Sequence, residues 1–212
     1  MNIITVLGPK GGGGKSTCAR NIAAAAAQSG LSVTALDTDP QGTLARWGVT
    51  RKANTDLPVV TVQHIAIATA PEALRKLASD LVIVDTPTAI EEHPEAFKAL
   101  VLASSLVLIP ARPSLDDVVS VAPFAQVVHD LKRDAVFILN AVKPRVAETD
   151  GARRHLSAYA DVLSAALPDS VDIQRAMAQG EGITERGGRG ADIANALWAE
   201  LRRRLHLPGG QS

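Results

Sequence analysis

Residues 8–17, GPKGGGGKST, combine the residue types that bind phosphate: glycines, lysines and hydroxyl side chains. The stretch follows the apolar run 2–7 and precedes a helical pattern that begins at Ser16. In such a strand–loop–helix unit, backbone N–H groups and the helix N-terminus surround phosphate oxygens. We predict that Gly11, Gly12, Gly13 and Gly14 cradle a nucleotide, that Lys15 reaches its β- and γ-phosphates, and that Ser16 binds magnesium. A flexible glycine turn with a chance Lys-Ser pair is the alternative.

The loop departs from the common phosphate-loop pattern, G-x-x-x-x-G-K-[ST]. That pattern places its first glycine where this chain has Pro9, and the next residue, Lys10, is a second lysine. An ordinary phosphate loop has no need of this second lysine.

Carboxylates follow two of the later apolar runs. Asp85 ends LVIVD at residues 81–85, and Asp37 and Asp39 end VTALDTDPQ. Ligands of open α/β sheets bind beyond the carboxyl ends of the strands, where an aspartate of this kind holds magnesium or its water. We therefore expect Asp85 to be a metal ligand and Asp37 and Asp39 to lie near the phosphates. The alternative for each is a carboxylate that caps its own turn.

The elements that position these residues alternate between short apolar runs and helical patterns. The runs are 2–7, 31–37, 58–64, 81–85, 105–111 and 135–142, and the helical patterns are 16–29, 72–78, 95–103, 116–129, 152–166 and 191–206. Runs that are apolar on both faces suit a parallel sheet covered by helices. We predict a doubly wound, mostly parallel α/β sheet in a single domain, 1–212, with a mobile glycine-rich loop at 178–192 and a frayed tail at 207–212.

The pairing of KGGGGKST with DTDPQ and LVIVDTP resembles the ParA/MinD family of ATPases, whose deviant Walker A loop reads K-G-G-x-G-K-[ST]-T. The resemblance covers nearly the whole chain, and the short length is most similar to the small ParF-type ParA proteins. It implies a P-loop NTPase fold and partner-stimulated hydrolysis of ATP with Mg²⁺ as cofactor. It also implies a homodimer that sandwiches ATP between its subunits.

The resemblance assigns a role to each residue that matches its motifs. It implies that Lys10 reaches across the dimer to the partner's ATP, whereas Lys15 acts within its own subunit. Ser16 then coordinates magnesium, Thr17 contacts the α-phosphate region, and Asp39 orients the attacking water. A lysine supplied by the partner neutralises transition-state charge, as an arginine finger does in other NTPases.

The adenine side is indicated by two further segments. Asn140, at the end of AVFILN, matches a family position near the base, and residues 109–114, IPARPS, resemble the segment that lines the same pocket. A strand-end turn residue is the alternative for Asn140.

Basic residues gather late in the chain. They are Arg153, Arg154, Arg175, Arg186, Arg189, Arg202, Arg203 and Arg204. The resemblance implies that such residues bind DNA without reading its sequence, through phosphate contacts. A solvated helix face is the alternative.

The resemblance implies partition of plasmid or chromosome DNA, with a ParB-like or other adaptor protein that stimulates hydrolysis. The same switch carrying a protein cargo such as carboxysomes is the close alternative. A MinD-like membrane-associated regulator is the rival from another class, and a small-molecule kinase is a further one.

The sequence of the last helix is a separate reason to consider membrane binding. Ile193, Leu197, Leu201 and Leu205 form a stripe beside Trp198, a pattern that fits either a buried face or an interfacial anchor. We expect a buried face and no membrane partner.

Bulk composition agrees with a globular cytoplasmic protein. Apolar residues make up 46% and charged residues 21% of 212, and the formal net charge is zero. Only Cys18 is present, so an intramolecular disulfide is impossible, and its expected role is packing. We expect a cytoplasmic, nucleoid-associated protein; the five histidines show no metal-ligand spacing.

Overall fold

The fold is built on a seven-stranded sheet in which all neighbouring strands are parallel. The computed structural model describes residues 1–144 and 146–208. The strands are β1 (Asn2–Val6), β2 (Val33–Asp37), β3 (Val60–His64), β4 (Leu81–Asp85), β5 (Leu106–Ala111), β6 (Ala135–Leu139) and β7 (Asp161–Val162). Their order is β3-β2-β4-β1-β5-β6-β7, which confirms the predicted doubly wound parallel sheet.

Helices cover both faces of the sheet. They are α1 (Lys15–Gln28), α2 (Thr43–Ala53), α3 (Ala70–Leu74), α4 (Pro94–Ala103), α5 (Leu115–Asp130), α6 (Ala147–Leu156), α7 (Val171–Ala178) and α8 (Gly188–Arg204). Alternate residues of β1 point to opposite faces, with Ile4 and Val6 in the core beneath α1 and α8 and Ile3 in the core beneath α4 and α5. The inner strands β2, β4 and β5 are buried on both faces, whereas the edge strand β3 is partly exposed.

The strand register brings the predicted carboxylates side by side. Asp37 at the end of β2 pairs with Asp85 at the end of β4, and Asp85 in turn pairs with Val6 at the end of β1. The glycine-rich loop leaves β1 at this edge, where β1 separates the two halves of the sheet. This is the position at which ligands of doubly wound folds bind.

Two helices and one strand were not predicted, and one predicted helix is wrong. The sequence pattern predicts a helix over 152–166, whereas α6 ends at Leu156 and β7 follows at Asp161–Val162. The N–H of Leu163 donates to the carbonyl of Phe137 at 2.8 Å, so pairing with β6 prevails over the helical pattern. Helix α2 was missed because its sequence, TLARWGVTRKA, contains glycine and β-branched residues and shows little periodicity.

Part of the segment predicted to be a mobile loop, 178–192, is packed against the domain instead: residues 180–185 are buried or half-buried, whereas 186–189 are exposed. It contains a 3₁₀ turn, Ile183–Glu185, and the start of α8. The Glu185 side chain, 4% exposed, pairs with Arg51 of α2 at 2.7 Å, and Arg51 also donates to the carbonyls of Pro58 and Gly180. A buried ion pair with several hydrogen bonds therefore holds this glycine-rich segment in place. The local sequence does not predict the pair, because its two residues are far apart in the chain. Of the tail predicted to fray, residues 209–212 lie outside the described residues.

Candidate nucleotide-binding site

The glycine-rich loop connects β1 to α1 at the centre of the sheet's carboxyl edge. Gly14, the residue before α1, has φ +108°, a conformation that favours glycine. A Cβ atom on Gly14 would lie 2.0 Å from Nδ2 of Asn140, so a larger residue would clash there. Backbone conformation and close packing therefore both require glycine at this position.

Lys15 folds back beneath the loop. Its Nζ donates to the carbonyl oxygen of Gly8 at 3.2 Å and to that of Lys10 at 3.3 Å, and the residue is buried. Burial lowers the pKa of Lys15, while the carboxylates of Asp85 and Asp39 act in the opposite direction. The arrangement places a desolvated ammonium beside the loop, where it can attract a phosphate anion.

Asp85 is the most unusual carboxylate of the site. It has no solvent exposure, and neither of its oxygens has a hydrogen-bond partner of good geometry. Burial raises the pKa of Asp85 to about 7; Asp37 and Asp39 raise it as well, whereas the Ser16 hydroxyl and the Lys15 ammonium lower it. A buried carboxylate without partners is unfavourable unless a cation compensates it.

A magnesium ion fits this environment. Mg²⁺ prefers oxygen ligands, binds proteins through one or two side chains, and completes its shell with water and substrate phosphates. The unpartnered carboxylate of Asp85, with the Ser16 hydroxyl near it, supplies such a donor set at the base of the loop.

Asp37 and Asp39 occupy the turn between β2 and α2 with different environments. The buried Asp37 accepts from the N–H of Asp39 at 3.1 Å and from that of Ala45 at 2.7 Å, so it caps α2. Asp39 is less buried, accepts from the N–H of Gln41 at 2.8 Å, and lines the cavity described below. Both carboxylates therefore cap the turn after β2, and Asp39 in addition lines the cavity.

Lys10 lies beside the cavity rather than in it. Its exposed Nζ donates to the carbonyl oxygen of Asp116, in the first turn of α5, at 2.8 Å. The cavity wall includes Gly11 but not Lys10. The two lysines of the loop thus have different positions: Lys15 is buried beneath the loop, and Lys10 is at the protein surface.

A cavity of 610 Å³ extends from the loop to α7. Its wall contains the predicted residues Gly11, Gly12, Gly14, Lys15, Ser16, Thr17, Asp39 and Asn140. The wall also contains residues that were not predicted from the sequence, namely Arg20 of α1, residues 168–170 and the α7 face formed by Ile173, Gln174 and Met177. Helix α7 could have been found from its N-cap Ser170, whose Oγ accepts from the N–H of Asp172, and Arg20 from its charge in an alanine-rich helix.

Asn140 joins the loop to the far side of the cavity. Its Nδ2 donates to the carbonyl oxygen of Gly13 at 3.1 Å, and the residue is buried at the end of β6. Arg112, in the segment 109–114 that the sequence associated with the same pocket, also lies in the wall. Asn140 therefore holds the loop from the end of β6, and its contact with a base stays a prediction.

Several of the late basic residues are paired within the protein. Arg186 contacts Glu181 at 2.7 Å, Arg204 contacts Asp161 at 3.0 Å, and Arg175 contacts Asp172 at 3.4 Å. Arg153 donates to the carbonyl oxygens of Leu163 and Ser164. The other members of the set, which are exposed or half-buried and make no ion pair among the described residues, are Arg154, Arg189, Arg202 and Arg203.

The apolar stripe of the last helix is part of the core. Leu197, Leu201 and Leu205 are buried in the cluster that includes α1, and the indole N–H of Trp198 donates to Ser29 at 3.2 Å. This agrees with the expected buried face. Among the described residues, helices with the length and apolar character of a membrane span are absent.

The strand order, the loop between β1 and α1, and the aspartates at adjacent strand ends define a nucleotide-binding domain of the P-loop NTPase type. Residues 4–183 match the family model of the CobQ/CobB/MinD/ParA nucleotide binding domain. The chain belongs to this family, which confirms the resemblance that the loop motif predicts.

Two relatives share a name that refers to carboxysomes. The chain is 27% identical over 205 residues to "Maintenance of carboxysome distribution protein A" of Halothiobacillus neapolitanus, with 92% of each chain covered. It is 33% identical over 159 residues to the protein of the same name from Gloeobacter kilaueensis, with 73% of this chain and 70% of that protein covered.

Solved structures of nucleotide complexes have the same fold. MinD from Pyrococcus horikoshii, complexed with Mg-ADP, gives a TM-score of 0.75 at 18% identity, covering 94% of this chain and 95% of that one. A variant of McdA from Cyanothece, complexed with ATP, gives a TM-score of 0.76 at 18% identity, covering 100% of this chain and 99% of that one.

Proposed function

We propose that the chain is a magnesium-dependent ATPase that dimerises around ATP and acts as a switch, with 1–212 working as a single ATPase domain. The observation that carries the proposal is the different placement of the two loop lysines. Lys15 lies buried where it meets a nucleotide bound in its own cavity, whereas Lys10 lies exposed beside that cavity, where a second subunit can approach.

In the proposed site, the phosphates lie on the loop. The N–H groups of residues 11–14 and the N-terminus of α1 bind phosphate oxygens, Lys15 binds the β- and γ-phosphates, and Thr17 contacts the α-phosphate region. Ser16 and Asp85 hold the magnesium ion, which when bound neutralises charge on the β- and γ-oxygens. The positive charge of the ion also compensates the buried Asp85 carboxylate, whose charge is otherwise unfavourable for folding.

Asp39 and Lys10 complete the proposed reaction. Asp39 lines the cavity from the turn between β2 and α2, and its carboxylate orients the attacking water from there. Lys10 of one subunit contacts the ATP of the other, so hydrolysis requires the dimer. Because the dimer depends on ATP, the rate of hydrolysis then sets the lifetime of the dimer.

For the cellular role, we propose a DNA-bound switch that positions a cargo on the nucleoid, with a ParB-like or other adaptor that stimulates hydrolysis. Partition of plasmid or chromosome DNA is the role that the loop motif first suggested. The names of the two relatives favour the other candidate, a protein cargo such as the carboxysome. Exposed arginines on α6 and α8 are the candidate DNA contacts.

Solution mass measured with ADP and with ATP tests the dimer switch. The wild-type protein is expected to be a monomer with ADP and a dimer with ATP and Mg²⁺. Lys10→Ala is expected to bind ATP but to lose stimulated hydrolysis, while Lys76→Ala, an exposed lysine distant from the loop, serves as the matched control. Stimulated turnover of Lys10→Ala at the wild-type rate would refute the role of Lys10.

The cellular role is tested by binding to DNA and to liposomes in parallel. Non-specific DNA binding is expected only with ATP, with affinity that falls as salt concentration rises. ATP-dependent liposome binding without DNA affinity would instead support the MinD-like regulator. The neighbouring gene separates the two cargoes: a centromere-binding protein favours DNA, and shell proteins favour a protein assembly.

A further inference from the structure

Arg20 is a buried cation in the first helix. It lies in α1, is 5% exposed, and its Nη2 donates to Oγ1 of Thr17 at 3.1 Å. Arg20 does not take part in the ion pairs formed among the described residues. The guanidinium is thus largely removed from water without a carboxylate within ion-pair distance among the described residues.

The same residue forms part of the cavity wall. Arg20 lies about one helical turn beyond Ser16. The same wall contains Thr17 and, from α7, the uncharged side chains of Ile173, Gln174 and Met177. The loop end of the cavity, where the β- and γ-phosphates are proposed to bind, already contains Lys15 and Ser16. Arg20 therefore adds a further positive charge to the cavity wall, from the helix that follows the loop.

A buried cation in a ligand cavity needs an anion. Burial lowers the pKa of Arg20 to about 10, with Cys18 and Asp85 acting in the opposite direction, so the guanidinium is charged at neutral pH. An isolated buried charge is strongly unfavourable unless it is paired and hydrogen-bonded. Arginine carries five N–H donors in a fixed plane, a geometry that matches phosphate oxygens.

We propose that Arg20 is a further nucleotide-binding residue of this chain, which donates to the non-bridging oxygens of the α-phosphate beside Thr17. The inference rests on the proposed function, because it takes the anion to be a nucleoside di- or triphosphate. Since ATP and ADP both carry an α-phosphate, Arg20 holds the nucleotide before and after hydrolysis. It differs in this from Lys10, whose proposed contact depends on ATP in a dimer.

Nucleotide affinity measured by calorimetry on Arg20→Gln tests the assignment. Affinities for ADP and for ATP are expected to fall by the same factor, about 10- to 100-fold, because one charge-assisted hydrogen-bond partner is lost. Arg75→Gln, an exposed arginine on the opposite face of the sheet, makes the same charge change and is expected to bind like wild type.

Thermal unfolding without and with ADP separates ligand binding from a structural role. The nucleotide-free Tm of Arg20→Gln is expected to equal or exceed that of wild type, because an unpaired buried charge has been removed. The rise in Tm on adding ADP is expected to shrink, because weaker binding stabilises less. If Arg20→Gln does not fold, Arg20→Lys keeps the charge and is expected to show an intermediate loss of affinity for both nucleotides.

Two results would overturn the assignment. Unchanged ADP affinity removes Arg20 from the site, and a loss confined to ATP places it at the γ-phosphate. Failure of the wild-type protein to bind either adenine nucleotide refutes the proposed function itself. Wild-type binding with an unaffected Arg20→Gln refutes the arginine assignment alone.

Discussion

Asp85→Asn is expected to stabilise the nucleotide-free protein while it abolishes magnesium-dependent hydrolysis. The substitution keeps the shape of a fully buried side chain and removes its charge. Burial raises the pKa of Asp85 from 3.8 to about 7. At 1.36 kcal/mol for each pKa unit, the ionised carboxylate lowers the free energy of unfolding by about 4 kcal/mol at neutral pH.

The effect of Asp85 on stability depends on pH, so an assay at two pH values can detect it. Between the unfolded pKa and the folded pKa of Asp85, the folded protein retains a proton that the unfolded chain has lost, so wild-type stability falls as pH rises and is level above about pH 7. The asparagine side chain does not titrate, so the stability of Asp85→Asn lacks this pH dependence. Its advantage over wild type is expected to grow by about 2 kcal/mol between about pH 5.5 and about pH 8.

Urea denaturation of both proteins at the two pH values measures this difference, in chelator and without nucleotide. The exposed Asp56→Asn controls for the change in net charge. An advantage that is the same at both pH values, or an Asp85→Asn protein that is less stable than wild type near pH 8, would refute the reasoning that burial of an uncompensated carboxylate opposes folding.

Three further substitutions probe the glycine-rich loop, the turn between β2 and α2, and the packed segment after α7. Lys15→Ala is expected to abolish ATP binding in calorimetry, and intact binding would remove Lys15 from the phosphate site. Asp39→Ala is expected to trap the ATP-bound dimer, measured as mass that persists with time; rapid hydrolysis by this variant would assign the water-orienting role elsewhere. Glu185→Ala leaves the buried Arg51 guanidinium unpaired and is expected to lower the free energy of unfolding by about 3–5 kcal/mol in urea. Glu72→Ala breaks an exposed pair with Lys76 and is expected to cost less than about 1 kcal/mol, so equal losses in the two variants would contradict the importance of burial.

Local sequence predicted the elements whose signals are short-range. The apolar runs became β1 to β6, and the loop between β1 and α1 has the strand–loop–helix context expected of a phosphate site. Prediction from local sequence failed where long-range contacts override the local preference for helix or loop. Pairing with β6 ends the helix expected at 152–166, and the Arg51–Glu185 pair, 134 positions apart in sequence, holds a glycine-rich segment whose local sequence is typical of a loop.

The sequence by itself determined the family, the sheet and the phosphate loop, because glycine spacing, the second lysine and the aspartates at the ends of apolar runs are all local patterns. Tertiary structure alone decided which carboxylate is left without partners, which lysine is buried and which arginine faces the cavity. Burial and charge compensation depend on neighbours supplied by distant segments, as Asp37 and Lys15 are for Asp85. Sequence spacing carries no record of those neighbours, so Arg20 and the face of α7 became visible only in the folded chain.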